Sequence, residues 1–322
     1  MRASSAAYDA ATTYERTVVQ IDHGALGAYW LDVFRAQGGE RRDYLFHGPS
    51  HDYVLEGATC PPPDPDNPAA PRNTGAKGPW KATWKITDAY RFAAYSPGHP
   101  GETLLIADEW GQRNHRNNDR GATLPYFFRR RTGDQLDAFV QVFAGFEEGR
   151  ELVQSVTVAT PREHVICIEV THAGGRDIIL LGDGSRTEAP TAPAMSSDAV
   201  LAIVAGLPAA GAAAPAGPAA LLLGGTELQA PGLSLTTARA EWSGRVSSRA
   251  SRGGDSWFEL DGPVLPAPDQ FRGQALIVTG DDGISRAYPV RRAEITAQGV
   301  LNVFTRTDYQ GFHARPATAW RL

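Results

Sequence analysis

The stretch WKATWKIT, Trp80 to Thr87, decides the fold class. Trp80, Ala82, Trp84 and Ile86 fall on one side, and Lys81, Thr83, Lys85 and Thr87 on the other. A period of two places successive side chains on opposite faces, so this is a β-strand with one buried and one wet face. The same texture spreads outward in both directions. YERTVVQID and AYWLDVFRAQ precede it, and TLLIADEW, DAFVQVFAGF, ELVQSVTVA, HVICIEVTHA and RDIILLGDG follow. β-Branched and aromatic residues dominate these runs, and each ends in glycine, proline or polar residues. No convincing amphipathic helix interrupts them. Many short strands with turn signals between them predict an all-β protein built on an antiparallel β-sandwich.

Three segments break the pattern. CPPPDPDNPAAPRNTGAKGP, residues 60–79, holds seven prolines and reads as a surface loop. TEAPTAPAMSSD, 187–198, resembles a connector. PAAGAAAPAGPAA, 208–220, is a low-complexity loop, where internal prolines and glycines oppose the helix its alanines would favour. The texture changes near residue 240. EWSGRVSSRASRGGDSWFELDG and QALIVTGDDGISRAYPVRRAEIT look like hairpins, with DDG as a turn between strands. The chain therefore divides, on this reading, into a sandwich over 1–239 and a small β-barrel or hairpin module over 240–322.

Composition narrows the function. The 322 residues carry a formal net charge of −5, which does not favour polyanions in bulk, and nucleic acid is a poor partner. No apolar run approaches a membrane span of roughly 20 residues, and no secretory signal is visible at the start. Charge is uneven, though: Arg113, Arg116, Arg120, Arg129, Arg130 and Arg131 fall close together with one acid, Asp119, among them. The triplet at 129–131 reads as a wet strand end more readily than as an anion clamp. The two cysteines, Cys60 and Cys167, lack zinc spacing, and their pairing stays open.

Candidate site residues come from two places. In GGERRDYLFHGPSHDY, residues 38–53, two glycines permit a turn, and a strand loaded with Arg42, Asp43, Tyr44 and His47 follows, then His51 and Tyr53. Tyr44 and Phe46 are expected to face the core, with Leu45 opposite. His47, His51 and Tyr53 form either an acid–base cluster or a solvated strand end; Pro49 argues against the helical geometry that would let the histidines share a metal. In DEWGQRNHRNND, residues 108–119, Trp110 is a sugar-stacking ring or a core residue. Arg113, His115 and Arg116 there suit hydroxyls and carboxylates.

The stretch from Tyr14 to Pro49 resembles the β-sandwich portion of heparinase II/III-like polysaccharide lyases. The residues that carry the likeness are Asp32, Val33, Phe34, Arg35, Gly38, Gly39, Asp43, Tyr44, His47 and Gly48, with Arg42 in place of the pattern's first histidine. The resemblance implies a two-part enzyme in which an α/α toroid packs on this sandwich and uronate-containing polysaccharides are cleaved by β-elimination. The toroid supplies a tyrosine and a carboxylate-neutralising group. The opening strands supply a histidine and, in several members, zinc ligands in a His-x-His motif. This chain begins downstream of these, and no His-x-His occurs in it. The resemblance thus implies a periplasmic or extracellular setting, an acidic polysaccharide and a toroid domain or subunit as partners, and no cofactor in this chain. It also implies little activity for the chain alone. Substrate contacts are expected from Arg42, Tyr44, His47, His51, Trp110, Arg113, His115 and Arg116. A sandwich that reads sugars without catalysis is the other expectation.

Overall fold

The computed structural model describes residues 2–4, 9–67, 69–111, 121–190, 194–208, 218–252, 255–262, 271–280, 285–305 and 317–321. Arg113, His115 and Arg116 lie outside them. The protein is all-β and antiparallel throughout, and it divides into two compact units. One comprises Met1–Leu222 with Glu227–Thr236, and the other Leu223–Thr226 with Thr237–Leu322. Among the described residues no helix is long and apolar enough to cross a membrane.

The first unit opens with β1 (Arg2–Ser4), β2 (Thr13–Asp22), a single 3-10 turn (Gly24–Leu26), β3 (Ala28–Gln37), β4 (Arg41–His47) and β5 (Tyr53–Glu56). Then come β6 (Arg72–Asn73), β7 (Trp80–Lys85), β8 (Tyr90–Ser96), β9 (Thr103–Trp110), β10 (Thr123–Thr132) and β11 (Asp137–Glu147). It continues with β12 (Val153–Arg162), β13 (Val165–His172), β14 (Gly175–Leu181), β15 (Thr187–Ala189) and β16 (Met195–Ser197). Last are β17 (Leu201–Leu207), β18 (Ala219–Leu223), β19 (Glu227–Ala230) and β20 (Leu233–Thr236).

These strands form four sheets. The widest runs β1-β2-β3-β11-β8-β7-β5; the others run β4-β10-β9-β6, β12-β13-β14-β17-β18 and β15-β16-β19-β20. The wide sheet is an inner layer. Tyr29, Leu31, Val33, Val140 and Val142 on one face pack against Ile166, Ile168, Ile179 and Ile203 of the β13-containing sheet. On its other face Trp80, Ala82, Trp84 and Ala94 meet Leu104, Ile106 and Phe127 of the β4-containing sheet. Burial on both faces explains why AYWLDVFR is apolar almost without a break. WKATWKIT keeps its alternation: Trp80, Ala82 and Trp84 are buried, while Ile86, just beyond the strand end, is exposed.

The second unit holds β21 (Ser243–Arg252), β22 (Asp255–Asp261), β23 (Ala275–Gly280), β24 (Ser285–Ile295), β25 (Leu301–Thr305) and β26 (Ala317–Arg321). They close into a barrel in the order β21-β22-β25-β24-β23-β26. Phe258, Leu260, Leu276, Val278, Tyr288 and Val303 fill it. β21–β22 and β23–β24 are the expected hairpins, and the DDG turn itself lies outside the described residues.

The arginine triplet corrects the reading of a wet strand end. Strand periodicity turns Arg130 outward, where it grips Asp43 through two 2.8 Å bonds. Arg129 and Arg131 turn inward and are buried. Glu102, from the β8–β9 connection, accepts from Arg129 Nε at 2.8 Å and Nη2 at 3.0 Å, and from Arg131 Nε at 2.9 Å and Nη2 at 2.7 Å. Asp137 on β11 accepts from Arg42 Nε at 2.6 Å and lies 3.6 Å from Arg131 Nη1. Burial pushes the Glu102 carboxyl up, but the two guanidinium groups outweigh it and hold the carboxyl below its usual range. Its stabilising effect is therefore complete above the unfolded-state value, about 4.3 for glutamate, and is lost as pH falls through the lower folded-state value. Glu102→Ala is expected to destabilise the first unit by about 3–5 kcal/mol, because it leaves buried guanidinium charge unpaired. Glu102→Gln should flatten the dependence of the urea midpoint on pH in the acid range.

Candidate functional site

β4 carries its last residues from this core to the surface. Arg42 and Tyr44 face inward and never reach solvent. Besides Asp137, Arg42 bonds the carbonyls of Gly39 and Gly133. Tyr44 is 3% exposed and donates to Asp32 Oδ2 at 2.8 Å. Asp32 also receives Arg16 Nε at 2.9 Å, so its charge is matched by a guanidinium fork. Arg42 and Tyr44 thus hold the sheets together and are not part of a binding surface. Phe46 packs inward as expected, and Leu45 is 42% exposed on the opposite face.

Beyond His47 the chain bends tightly over Trp84. Gly48 N donates to Pro125 O at 3.0 Å, and the Trp84 indole donates to Ser50 O at 3.0 Å. A Cβ on Gly48 would sit 2.4 Å from the indole ring, so this position needs glycine for closeness of approach. The bend sends the two histidines to different places. His47 stacks obliquely near Tyr126, ring centres 5.2 Å apart, and borders an open groove of about 740 Å³ with Leu26, Ile86, Tyr90 and Arg91. His51 borders a separate polar cleft of about 510 Å³ with Tyr53, Cys60, Arg72 and Asp108. The two histidines do not form one site.

The polar cleft lies where β5 and β6, edge strands of facing sheets, meet the proline-rich loop. His51 is held from both nitrogens: Nε2 lies 3.1 Å from Thr123 O and 3.2 Å from its hydroxyl, and Nδ1 lies 3.4 Å from Asp108. These contacts fix the orientation of the ring at the cleft mouth. Arg72 Nη2 donates to Asp108 at 3.3 Å and Nε to Ile106 O at 3.3 Å. Burial, and after it the hydrogen-bonded Cys60 thiol, push the Tyr53 phenol upward, so it stays protonated at neutral pH. Trp110 is two residues beyond Asp108 on β9 and so shares its side of the strand. Its ring is 67% exposed, which settles the choice between core and surface. The thiols are free, Cys60 half-buried and Cys167 buried.

Sequence reading missed a second cluster. His23, Tyr29, His172 and Asp177 converge between the two largest layers. Asp177 accepts from Tyr29 OH at 2.6 Å and Gly206 N at 2.8 Å; His23 Nε2 lies 2.8 Å and His172 Nε2 3.1 Å from its oxygens. Burial raises the Asp177 carboxyl, but the donors from His172, Tyr29 and Gly206 bring it below its usual range. The spacing of two imidazoles and a carboxylate invites a metal. The donor set does not fit one. Gly174 N–H donates to His172 Nδ1 at 3.1 Å, which leaves the ring proton on Nε2, aimed at Asp177. A metal-bound imidazole donates its outer nitrogen instead. The group is a hydrogen-bonded clamp between layers.

The Trp84 contact makes a test of how the bend holds both rims. Gly48→Ala is expected to destabilise the protein by about 1–3 kcal/mol, the usual range for overpacking, read as a lower denaturation midpoint with altered tryptophan fluorescence. Gly78→Ala, where a Cβ meets nothing within 4 Å, should be close to neutral.

No family model matches this chain, and no curated protein matches it, so the reading of its function rests on these residues.

Proposed function

We infer that the chain is the β-sandwich portion of a heparinase II/III-like polysaccharide lyase, and that it grips acidic polysaccharide without cleaving it alone. The observation that carries this is Trp110: a large apolar ring held out in water at the end of a rigid strand, beside a cleft lined by Arg72, His51 and Asp108. An exposed indole next to polar groups suits a pyranose, whose C–H face stacks while its hydroxyls hydrogen-bond. The outer face of the β4-β10-β9-β6 sheet adds support. Leu45, Tyr126 and Phe128 stand there partly exposed, the kind of surface on which a further domain packs.

β-Elimination removes a proton beside the uronate carboxylate and expels the oxygen across the new double bond. It needs a base, an acid and charge stabilisation inside walls that exclude water. In the cleft the phenol is held protonated and both imidazole nitrogens are engaged, which leaves no ready base. A helical toroid, from the same polypeptide or another, supplies the missing wall and acid–base groups on this reading. A carbohydrate-binding sandwich with no lyase partner is the second reading, and the openness of the cleft favours it.

Incubation with heparin, heparan sulfate, hyaluronan and alginate separates these outcomes. Binding to at least one is expected, with no rise in ultraviolet absorbance from unsaturated uronate; robust turnover would overturn the non-catalytic reading. Trp110→Ala should weaken binding by about 1–2 kcal/mol, roughly five- to thirtyfold. Restored turnover on adding a helical toroid would decide for the lyase over the stand-alone binder.

A further inference from the structure

We propose that the cleft between β5 and β6 is a binding site for one monoanionic, carboxylate-bearing sugar residue, with Arg72 as the anion contact and Tyr53 and His51 beside it. This rests on the polysaccharide reading above and gives it a location and a chemical preference.

The argument begins with Arg72. Its side chain is 12% exposed and lines the cleft. Nε and Nη2 are committed to Ile106 O and Asp108, and Nη1 has no acceptor among the described residues. A largely buried guanidinium with unspent N–H groups at the wall of an open cleft is a ready partner for a planar carboxylate. Asp108 sets the selectivity. Its charge is paired with Arg72 Nη2, so a single negative charge placed at Nη1 meets less opposition from it than a phosphate-like dianion would. The protonated Tyr53 phenol offers a donor to a ring or hydroxyl oxygen. The cleft volume, about 510 Å³, is within the range of small-molecule sites and holds one or two pyranose rings. Trp110 stands on the same side of β9 as Asp108, placed to stack on the next sugar along a chain.

Cys60 gives the cleft its own reporter. It lines the same cavity, next to the Tyr53 phenol. The only other thiol, Cys167, is buried among apolar residues, which push it up to about 11 and make it a poor nucleophile. Alkylation of the native protein therefore reads the cleft alone.

The experiment follows iodoacetamide labelling of Cys60 with increasing oligouronate. A ligand at about ten times its Kd should slow labelling about tenfold. The carboxyl-reduced oligosaccharide and a sulfated neutral sugar, each at the same concentration, should leave the rate unchanged. Arg72→Gln, with its fold checked by circular dichroism, should lose the protection, and Tyr53→Phe should weaken it. Wild-type protein provides the ligand comparison, so the test stands even if a variant misfolds. Equal protection by the carboxyl-reduced or sulfated sugar overturns the proposal. Polysaccharide binding that depends on Trp110 but leaves Cys60 unprotected also overturns it, while sparing the broader reading; absence of binding altogether removes both.

Discussion

Glu102 is the residue on which the packing of the β4-β10-β9-β6 sheet against the wide inner sheet depends. Its carboxylate gathers two arginines that strand periodicity has turned into the interior. A buried guanidinium has no cheap way to lose its charge, so an inward-facing Arg129 or Arg131 must find an anion or the sheet will not pack. Arg129 also bonds the Val140 carbonyl and Gln141 across the interface, and Arg131 bonds Ala138 O. Those partners lie on β11, in the facing sheet. The network therefore fixes the offset of β10 against β11, not merely its distance. Such polar interfaces contribute specificity of register more surely than net stability.

That register is what places the candidate site. β10 pairs with β4 on one side and β9 on the other. With Arg129 set against Leu104 and Tyr44, the ladder brings Thr123 opposite Trp110 and Pro125 opposite Asp108. Thr123 then offers its carbonyl to His51, and Pro125 its carbonyl to Gly48. A slip of one residue would turn Asp108 and Trp110 to the outer face and leave His51 without either anchor. The ionic half of the interface acts on the cleft through this rigid ladder, although none of its arginines lines it.

The sequence carried the strands clearly and the polar interior poorly, for one physical reason. Alternation is local: Trp80, Ala82 and Trp84 declare their face within six residues. Partnership is not. Arg129 and Arg131 look like a solvated run because their anion, Glu102, stands in a loop on the far side of β9 and of the 112–120 segment. Asp177 and His172 are neighbours across a hairpin, but the third and fourth members, His23 from the turn after β2 and Tyr29 from β3, come from near the chain start, and only the layer packing joins them. Trp110 misleads in the other direction, since a tryptophan ending an apolar run reads as core, yet this one is exposed. Of the residues in the stretch that carries the family resemblance, Arg42, Tyr44 and Asp32 are buried struts, whereas His47 emerges at the surface.

This division has a chemical consequence. Among the described residues, several groups that resemble catalytic machinery are already engaged. The Asp177 carboxylate is saturated by donors, His172 is fixed in one tautomer by Gly174, and His51 is tied at both nitrogens. A site evolved for proton transfer needs a group whose proton can leave and return during the reaction. A site evolved for holding needs the opposite: donors and acceptors locked by the scaffold so that little entropy is lost when ligand arrives. Among the described residues, Arg72 Nη1 and the Trp110 ring remain unspent beside the cleft, one charged and one apolar. That pairing of a charged and an apolar group is what the proposed recognition of a charged sugar would use.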